Sequence, residues 1–82
     1  MKRSNRAIEL LGWYGAAAIA AAYALVSLEV IASNSWAYQL LNLTGALGIL
    51  VVSVSKKDRQ PAALNIFWAV IAFVALVRLA MQ

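Results

Sequence analysis

The sequence predicts an all-α integral membrane protein, a bundle of three spanning helices. Apolar residues make up 65% of the 82-residue chain and charged residues 12%, whereas soluble domains average roughly 45–50% and 25%. Eight of the ten charged residues lie in two short segments, 2–9 and 56–59. The stretches between them are apolar over the roughly 20 residues that a spanning helix requires. Because a domain of this size buries only about 60% of its surface, so much apolar surface predicts a lipid environment.

The whole chain, 1–82, is predicted to be one domain with spans at about 10–31, 36–55 and 62–79 and a basic turn at 56–61. Three spans use about 60 residues and leave no room for a fourth. The polar triplet at 33–35 offers N-caps for the second helix, and Pro61 suits the first residue of the third. A cleaved signal peptide ending near Ala32 is the alternative for the first span. That apolar run exceeds the usual 7–15 residues, so we interpret it as an anchor.

The positions of the cations predict the orientation of the chain. With three spans, the N-terminal tail and the second connection lie on one side of the membrane. Six of the seven cations fall there: Lys2, Arg3, Arg6, Lys56, Lys57 and Arg59. Short loops rich in Lys and Arg stay in the cytoplasm. We therefore predict a multi-pass protein of the bacterial inner membrane with its N-terminus in the cytoplasm and its C-terminus outside.

Small residues are expected to form the helix contacts, because close packing drives helix association in lipid. In the first helix they recur at a spacing of four, and in the second helix two glycines lie close together. The predicted packing residues are Gly12, Ala16, Ala20, Ala24, Gly45 and Gly48. The first helix could use them within one subunit or to associate with a second copy, and we expect both. The predicted assembly is a parallel homodimer.

Five polar or aromatic residues lie inside the spans and are candidates for lining a solute path: Tyr23, Gln39, Asn42, Asn65 and Trp68. An amide in hydrocarbon needs a hydrogen-bond partner or water. The commoner explanation is a bond between helices, and the alternative is a path for a small polar solute. Tyr23 and Asn42 are predicted to lie in the same half of the membrane and to bond each other.

Glu29 and Arg78 are the charged residues outside the two clusters. Counted along their helices, they reach about the same depth near the outer surface. We predict that they form an ion pair, within one subunit or across a subunit boundary.

No catalytic constellation is predicted. The chain has no cysteine and no histidine, which removes thiol nucleophiles, disulfides and the usual ligands of zinc and haem. The three carboxylates, Glu9, Glu29 and Asp58, are too dispersed to act as an acid–base pair. The basic turn is explained by topology and anionic head groups, and it does not predict nucleic-acid binding. We expect no enzyme activity, cofactor or metal.

The chain resembles two groups of proteins. The Gly-Trp-Tyr triplet at 12–14 and the segment 60–65, with its Pro and Asn, resemble the three-helix unit of SemiSWEET transporters in the PQ-loop superfamily. That resemblance implies two parallel copies around a path for a small sugar, with Asn65 as the pocket asparagine. The Pro-Gln pair of that family is absent, and Leu25-Val26 stands in roughly its place. The segment 38–45 is similar to uncharacterised small bacterial three-helix membrane proteins, a likeness that implies no activity.

Two function classes therefore remain. The first is a homo-oligomeric, SemiSWEET-like transporter or permeation path for a small polar solute. The second is a non-catalytic structural or accessory subunit of a membrane complex. A holin-like pore former is a weaker third, because the sequence has no long charged tail. The expected partners are the lipid bilayer, a second copy of the chain and, for the first class, the solute.

Overall fold

A computed structural model describes residues 6–82 as three helices: α1 (Arg6–Ser27), α2 (Trp36–Ser55) and α3 (Arg59–Ala80). Each helix is long and apolar enough to cross a membrane. Two of the cations used in the orientation argument, Lys2 and Arg3, lie outside the described residues. The connections 28–35 and 56–58 are short, so neighbouring helices run antiparallel.

The helix α2 lies at the centre of the bundle. Both α1 and α3 pack against it, but within residues 6–82 no Cα atom of α1 comes within 8 Å of one in α3. The bundle measures 45 × 23 × 19 Å. The sequence left open how much of the first helix packs within one subunit and how much meets a second copy. In one subunit it contacts α2, which leaves much of its surface free.

The bounds of two helices differ from the predicted spans. The helix α1 begins and ends four residues nearer the N-terminus than 10–31, and α3 begins at Arg59 instead of 62. Pro61 is thus the third helical residue. It still lies in the first turn, where a backbone N–H has no acceptor within the helix, so its missing N–H costs nothing. At the start of α2, Ser35 is the N-cap and its hydroxyl accepts from Tyr38 N at 3.2 Å.

Two helices end in the same backbone motif. After α1, Glu29 N donates to Val26 O and Val30 N donates to Leu25 O, at 3.0 and 2.8 Å. This pair of bonds is a Schellman motif, with Glu29 in the left-handed region at φ 63°. After α2, Lys57 occupies the same position at φ 61°. Glycine is the usual residue at this position, and because neither helix has one there, the sequence did not indicate where the two helices end. Glu29 lies in the turn after α1, so its predicted depth along the helix was wrong.

Small side chains form the core. The buried apolar residues are alanines with one exception, Leu76 on α3, and the full set is Ala18, Ala22, Ala46, Ala72 and Leu76. Three polar side chains are buried beside them: Asn42, Ser53 and Asn65. Since lipid supplies no hydrophobic driving force between helices, this core is held by close approach and by polar contacts.

Two ends of the bundle are used below. The basic end contains the start of α1 and the turn 56–58. The loop end contains the connection 28–35, the start of α2 and the end of α3. According to the orientation predicted from the cations, the basic end is cytoplasmic and the loop end is outside.

Candidate functional site

Glycines bring the backbones of α1 and α2 together. A Cβ atom on Gly15 would lie 2.5 Å from Gly45 O and 2.9 Å from Ile49 N, and one on Gly48 would lie 2.5 Å from Leu11 O. These distances are too short for any real Cβ atom, and the atoms met are backbone atoms that cannot move aside. The contact therefore requires glycine at both positions. Gly45 and Gly48 were predicted packing residues, and Gly15 was not.

The predicted ridge on α1 does not form the contact with α2. Its first member, Gly12, is half-buried against Val52, but Ala16, Ala20 and Ala24 are exposed. A spacing of four residues advances about 40° beyond a full helical turn at each step. Such a ridge winds around the helix and leaves the partner. The buried stripe alternates spacings of three and four and contains Gly15, Ala18 and Ala22.

The exposed side of α1 carries five alanines, which we call the alanine face: Ala16, Ala17, Ala20, Ala21 and Ala24. The segments 15–18 and 20–22 contain no side chain larger than that of alanine. The exposed side of α3 is bulky by comparison, with Ile66, Phe67, Val70, Phe73 and Val74. The two uncovered surfaces thus differ in composition: α1 exposes five alanines together with Trp13 and Tyr23, and α3 exposes mainly bulky side chains.

Among residues 6–82, one hydrogen bond between side chains joins two helices. The hydroxyl oxygens of Tyr14 and Thr44 lie 2.6 Å apart. Thr44 Oγ1 donates to Leu40 O at 2.8 Å, so Tyr14 is the donor in the bond across the helices. Tyr14 lies near the basic end of α1, a position where tyrosines often lie at the membrane surface. An isolated tyrosine gives no signal for such a bond, because the partner becomes apparent only when the two helices are in register.

The three amide side chains among the predicted path residues, those of Gln39, Asn42 and Asn65, have different surroundings. Asn65 Nδ2 donates to Pro61 O at 2.9 Å, within its own helix. The Gln39 amide nitrogen donates to Ser33 O at 2.9 Å and ties the connection to α2. Asn42 is 7% exposed, and within residues 6–82 its side chain makes no hydrogen bond. Its polar atoms are not fully enclosed, because no fully buried side-chain nitrogen or oxygen among the described residues lacks a hydrogen-bond partner.

The two aromatic path candidates are exposed to the surroundings of the bundle. Tyr23 is 72% exposed and Trp68 is 44% exposed. Tyr23 forms no bond with Asn42, so that expectation was wrong. A single subunit does not bring the five predicted path residues together around one cavity. Whether a second copy does so stays a prediction.

Glu29 and Arg78 lie at the loop end on different elements. Glu29 is in the turn after α1, and Arg78 is in the last turn of α3. Among the described residues neither belongs to an ion pair. Their pairing across a subunit boundary stays a prediction.

Two open grooves mark the surface. The loop-end groove has a volume of about 610 Å³ and lies along α3, where Arg78, Gln39, Asn34 and Gln82 line its rim. The basic-end groove has a volume of about 450 Å³ and lies between α1 and α2, lined by Glu9, Gly12, Trp13, Ala16, Ile49, Val52 and Lys56. Of the five predicted path residues, Gln39 lines the first groove and none lines the second.

The described residues contain no group of three or more acidic side chains placed to hold a metal ion. The described residues offer an apolar surface, a helix face with five alanines and isolated hydrogen-bonding groups.

Comparison with known proteins gives one match. The model of an uncharacterised bacterial family matches residues 8–82. No curated protein and no solved structure matches the chain. The comparisons thus lend no support to the resemblance to SemiSWEET transporters.

Proposed function

The chain belongs to this uncharacterised bacterial family, and we propose that it is a non-catalytic membrane subunit that assembles through the alanine face of α1. The preferred assembly is a parallel homodimer. The observation that carries the proposal is the uncovered alanine face, which remains free because α1 packs against α2 alone.

Small side chains on an uncovered face favour a protein partner over lipid. Lipid tails solvate bulky and small apolar side chains alike, so they provide no reason for five alanines on one side. A second helix does, because small residues let two backbones approach and gain dispersion contacts along the whole face. The bulky outer side of α3 lacks this property and suits the lipid tails.

The location and orientation belong to the same proposal. The turn of α2 and α3 puts Lys56, Lys57 and Arg59 at one end of the bundle, and the start of α1 adds Arg6. This asymmetry supports the inner membrane with the basic end in the cytoplasm. Two copies inserted by the same rule are parallel, so their alanine faces can meet along their full length.

Transport of a small polar solute is a second candidate, and Asn42 is the observation that favours it. The Asn42 side chain makes no hydrogen bond within residues 6–82, and an amide inside a membrane span needs a hydrogen-bond partner or water, so it supports a role that a single subunit does not fulfil. That role is either a bond to a second subunit or a contact with a solute or water in a path formed on assembly.

The oligomeric state in lipid nanodiscs, measured by native mass spectrometry, tests the main proposal. We expect a discrete dimer for the natural sequence and at least about a tenfold weaker association for Ala20→Leu, since overpacking a close contact costs about 1–3 kcal/mol. Ala63→Leu on the exposed side of α3 makes the same change and should leave the dimer intact. A monomer, or equal effects of both substitutions, would contradict the proposal.

Proteoliposome flux separates the two candidate functions. A transporter should move small sugars or other polar solutes, and Asn42→Leu should abolish the flux while the dimer persists. An assembly subunit should show no flux, and Asn42→Leu should weaken the dimer if the amide bonds a second copy. Flux that survives Asn42→Leu would exclude the predicted path.

A further inference from the structure

The loop-end groove combines one cation with an apolar wall. Arg78 lies at its rim, and the side chains of Val74 and Ile71 lie one and two turns deeper along α3. No acidic side chain lines the groove, and within the described residues Arg78 has no ion pair. The groove therefore offers one basic side chain above a hydrophobic surface.

Neutral hydrogen-bonding groups surround this charge. The side chains of Asn34 and Gln82 line the rim and make no hydrogen bonds within residues 6–82. The bond from Gln39 to Ser33 O holds the connection 28–35 over the start of α2. The rim is thus built in a single subunit, independently of the alanine face on the far side of α2.

We infer that this groove binds one phospholipid with a net anionic head group, such as phosphatidylglycerol. The guanidinium of Arg78 binds the phosphate with paired N–H donors, and Asn34 and Gln82 donate to the remaining head-group oxygens. One acyl chain lies along Ile71 and Val74. The volume of about 610 Å³ is within the range of ligand sites, roughly 300–1,000 Å³.

Charge complementarity selects this occupant. A zwitterionic head group brings an ammonium group next to Arg78, and no acidic side chain of the groove compensates for that second positive charge. A free fatty acid supplies an anion, but its single carboxylate leaves the amide donors of the rim largely unused. The phosphate and glycerol oxygens of an anionic phospholipid use both the cation and the amides.

Native mass spectrometry of the whole protein with added lipid tests the inference. Protein released from detergent is titrated with phosphatidylglycerol, phosphatidylethanolamine and oleate in parallel. We expect one phosphatidylglycerol bound at least about tenfold more tightly than phosphatidylethanolamine. Arg78→Gln should remove most of this preference, and Arg59→Gln, an exposed arginine in the first turn of the same helix, should leave it unchanged.

A second variant tests the apolar wall without changing the charge, and circular dichroism checks that the variant folds. Val74→Trp fills the apolar wall and should lower phosphatidylglycerol binding while circular dichroism shows unchanged helix content. Equal losses in Arg78→Gln and Arg59→Gln would mean general attraction by basic residues and would overturn the site. Tighter binding of oleate than of phosphatidylglycerol would overturn the phospholipid assignment.

Discussion

The two outer helices pack on the same central helix in opposite ways. The helix α1 approaches α2 through Gly15, Gly45 and Gly48, so that backbone meets backbone. The helix α3 is held through larger groups, with Leu76 and Asn65 buried on its stripe. Outside the contact the two helices also differ, because α1 presents five alanines beside Trp13 and Tyr23, whereas the exposed side chains of α3 are mainly bulky.

This difference teaches that one central helix can hold two neighbours by two kinds of fit. The contact of α1 depends on the absence of side chains and tolerates no added volume. The contact of α3 depends on the presence of side chains and tolerates no removed volume. A larger side chain should therefore damage the contact of α1, and a smaller one should damage the contact of α3.

Removing volume from α3 should have the largest effect. Leu76 is 8% exposed and is the one buried apolar side chain larger than alanine among the described residues. Leu76→Ala leaves a cavity beside α2 and should lower the free energy of unfolding by about 2–5 kcal/mol. The measurement is unfolding in mixed micelles, monitored by circular dichroism.

The matched control for this prediction lies on the same helix. Leu64 is 52% exposed, so Leu64→Ala makes the same chemical change without opening a cavity and should alter stability by less than about 0.5 kcal/mol. Similar losses for the two variants would show that the packing of α3 does not depend on Leu76.

Adding volume to α1 should have the next largest effect. Gly15→Ala places a methyl group 2.5 Å from Gly45 O, so the two backbones must separate. Overpacking of this kind costs about 1–3 kcal/mol, which outweighs the roughly 1 kcal/mol gained from the better helix propensity of alanine. The same unfolding measurement checks it, and we expect a net loss of stability.

Gly12→Ala provides the control for this second prediction. Its new methyl group would meet Val52 Cγ2 at 2.6 Å, the far end of a side chain that can rotate away. It gains the same helix propensity, so its stability should be unchanged or higher. If Gly15→Ala proved as stable as Gly12→Ala, the backbone contact could not be the basis of the α1–α2 fit.

The elements of the fold were visible in the sequence because each depends on local composition. Three apolar stretches of the right length predict three helices, and the polar connections separate them. The contact stripe on α1 was predicted incorrectly, since alanines occur on almost every side of that helix and composition cannot identify the side that meets α2. On α3 the buried stripe contains Asn65, Ala72 and Leu76, and the other sides carry mainly bulky exposed side chains.

The candidate site was less accessible to sequence reasoning for a different reason. Polar residues in a span indicate where hydrogen bonds are needed, but the partner depends on helix register. Asn65 bonds to Pro61 in its own helix, and Tyr14 bonds to a residue 30 positions away. Neither partner has a signal of its own. The surface of α1 is free because α1 packs against α2 and not against α3. Helix lengths and loop lengths do not determine that arrangement.

The bond between Tyr14 and Thr44 gives the smallest effect and the sharpest distinction between the outer helices. It is a polar link from α1 to α2, whereas the corresponding amide of α3, Asn65, bonds within its own helix. Hydrogen bonds between helices in membranes average about 0.6 kcal/mol and reach about 1.7. Tyr14→Phe should therefore lower the free energy of unfolding by about that amount. Tyr23→Phe, at an exposed tyrosine of the same helix, should not.

A double-mutant cycle of Tyr14→Phe with Thr44→Val isolates this link. Each substitution removes one partner, so the two losses should not add, and the coupling energy should be about 0.6 kcal/mol. Such a coupling would mean that α1 is held by a polar bond as well as by its glycines, which fixes its rotation and keeps the alanine face turned outward. A coupling of zero would leave the glycine contact as the sole determinant of that rotation. The orientation of the proposed assembly surface would then depend on Gly15, Gly45 and Gly48 alone.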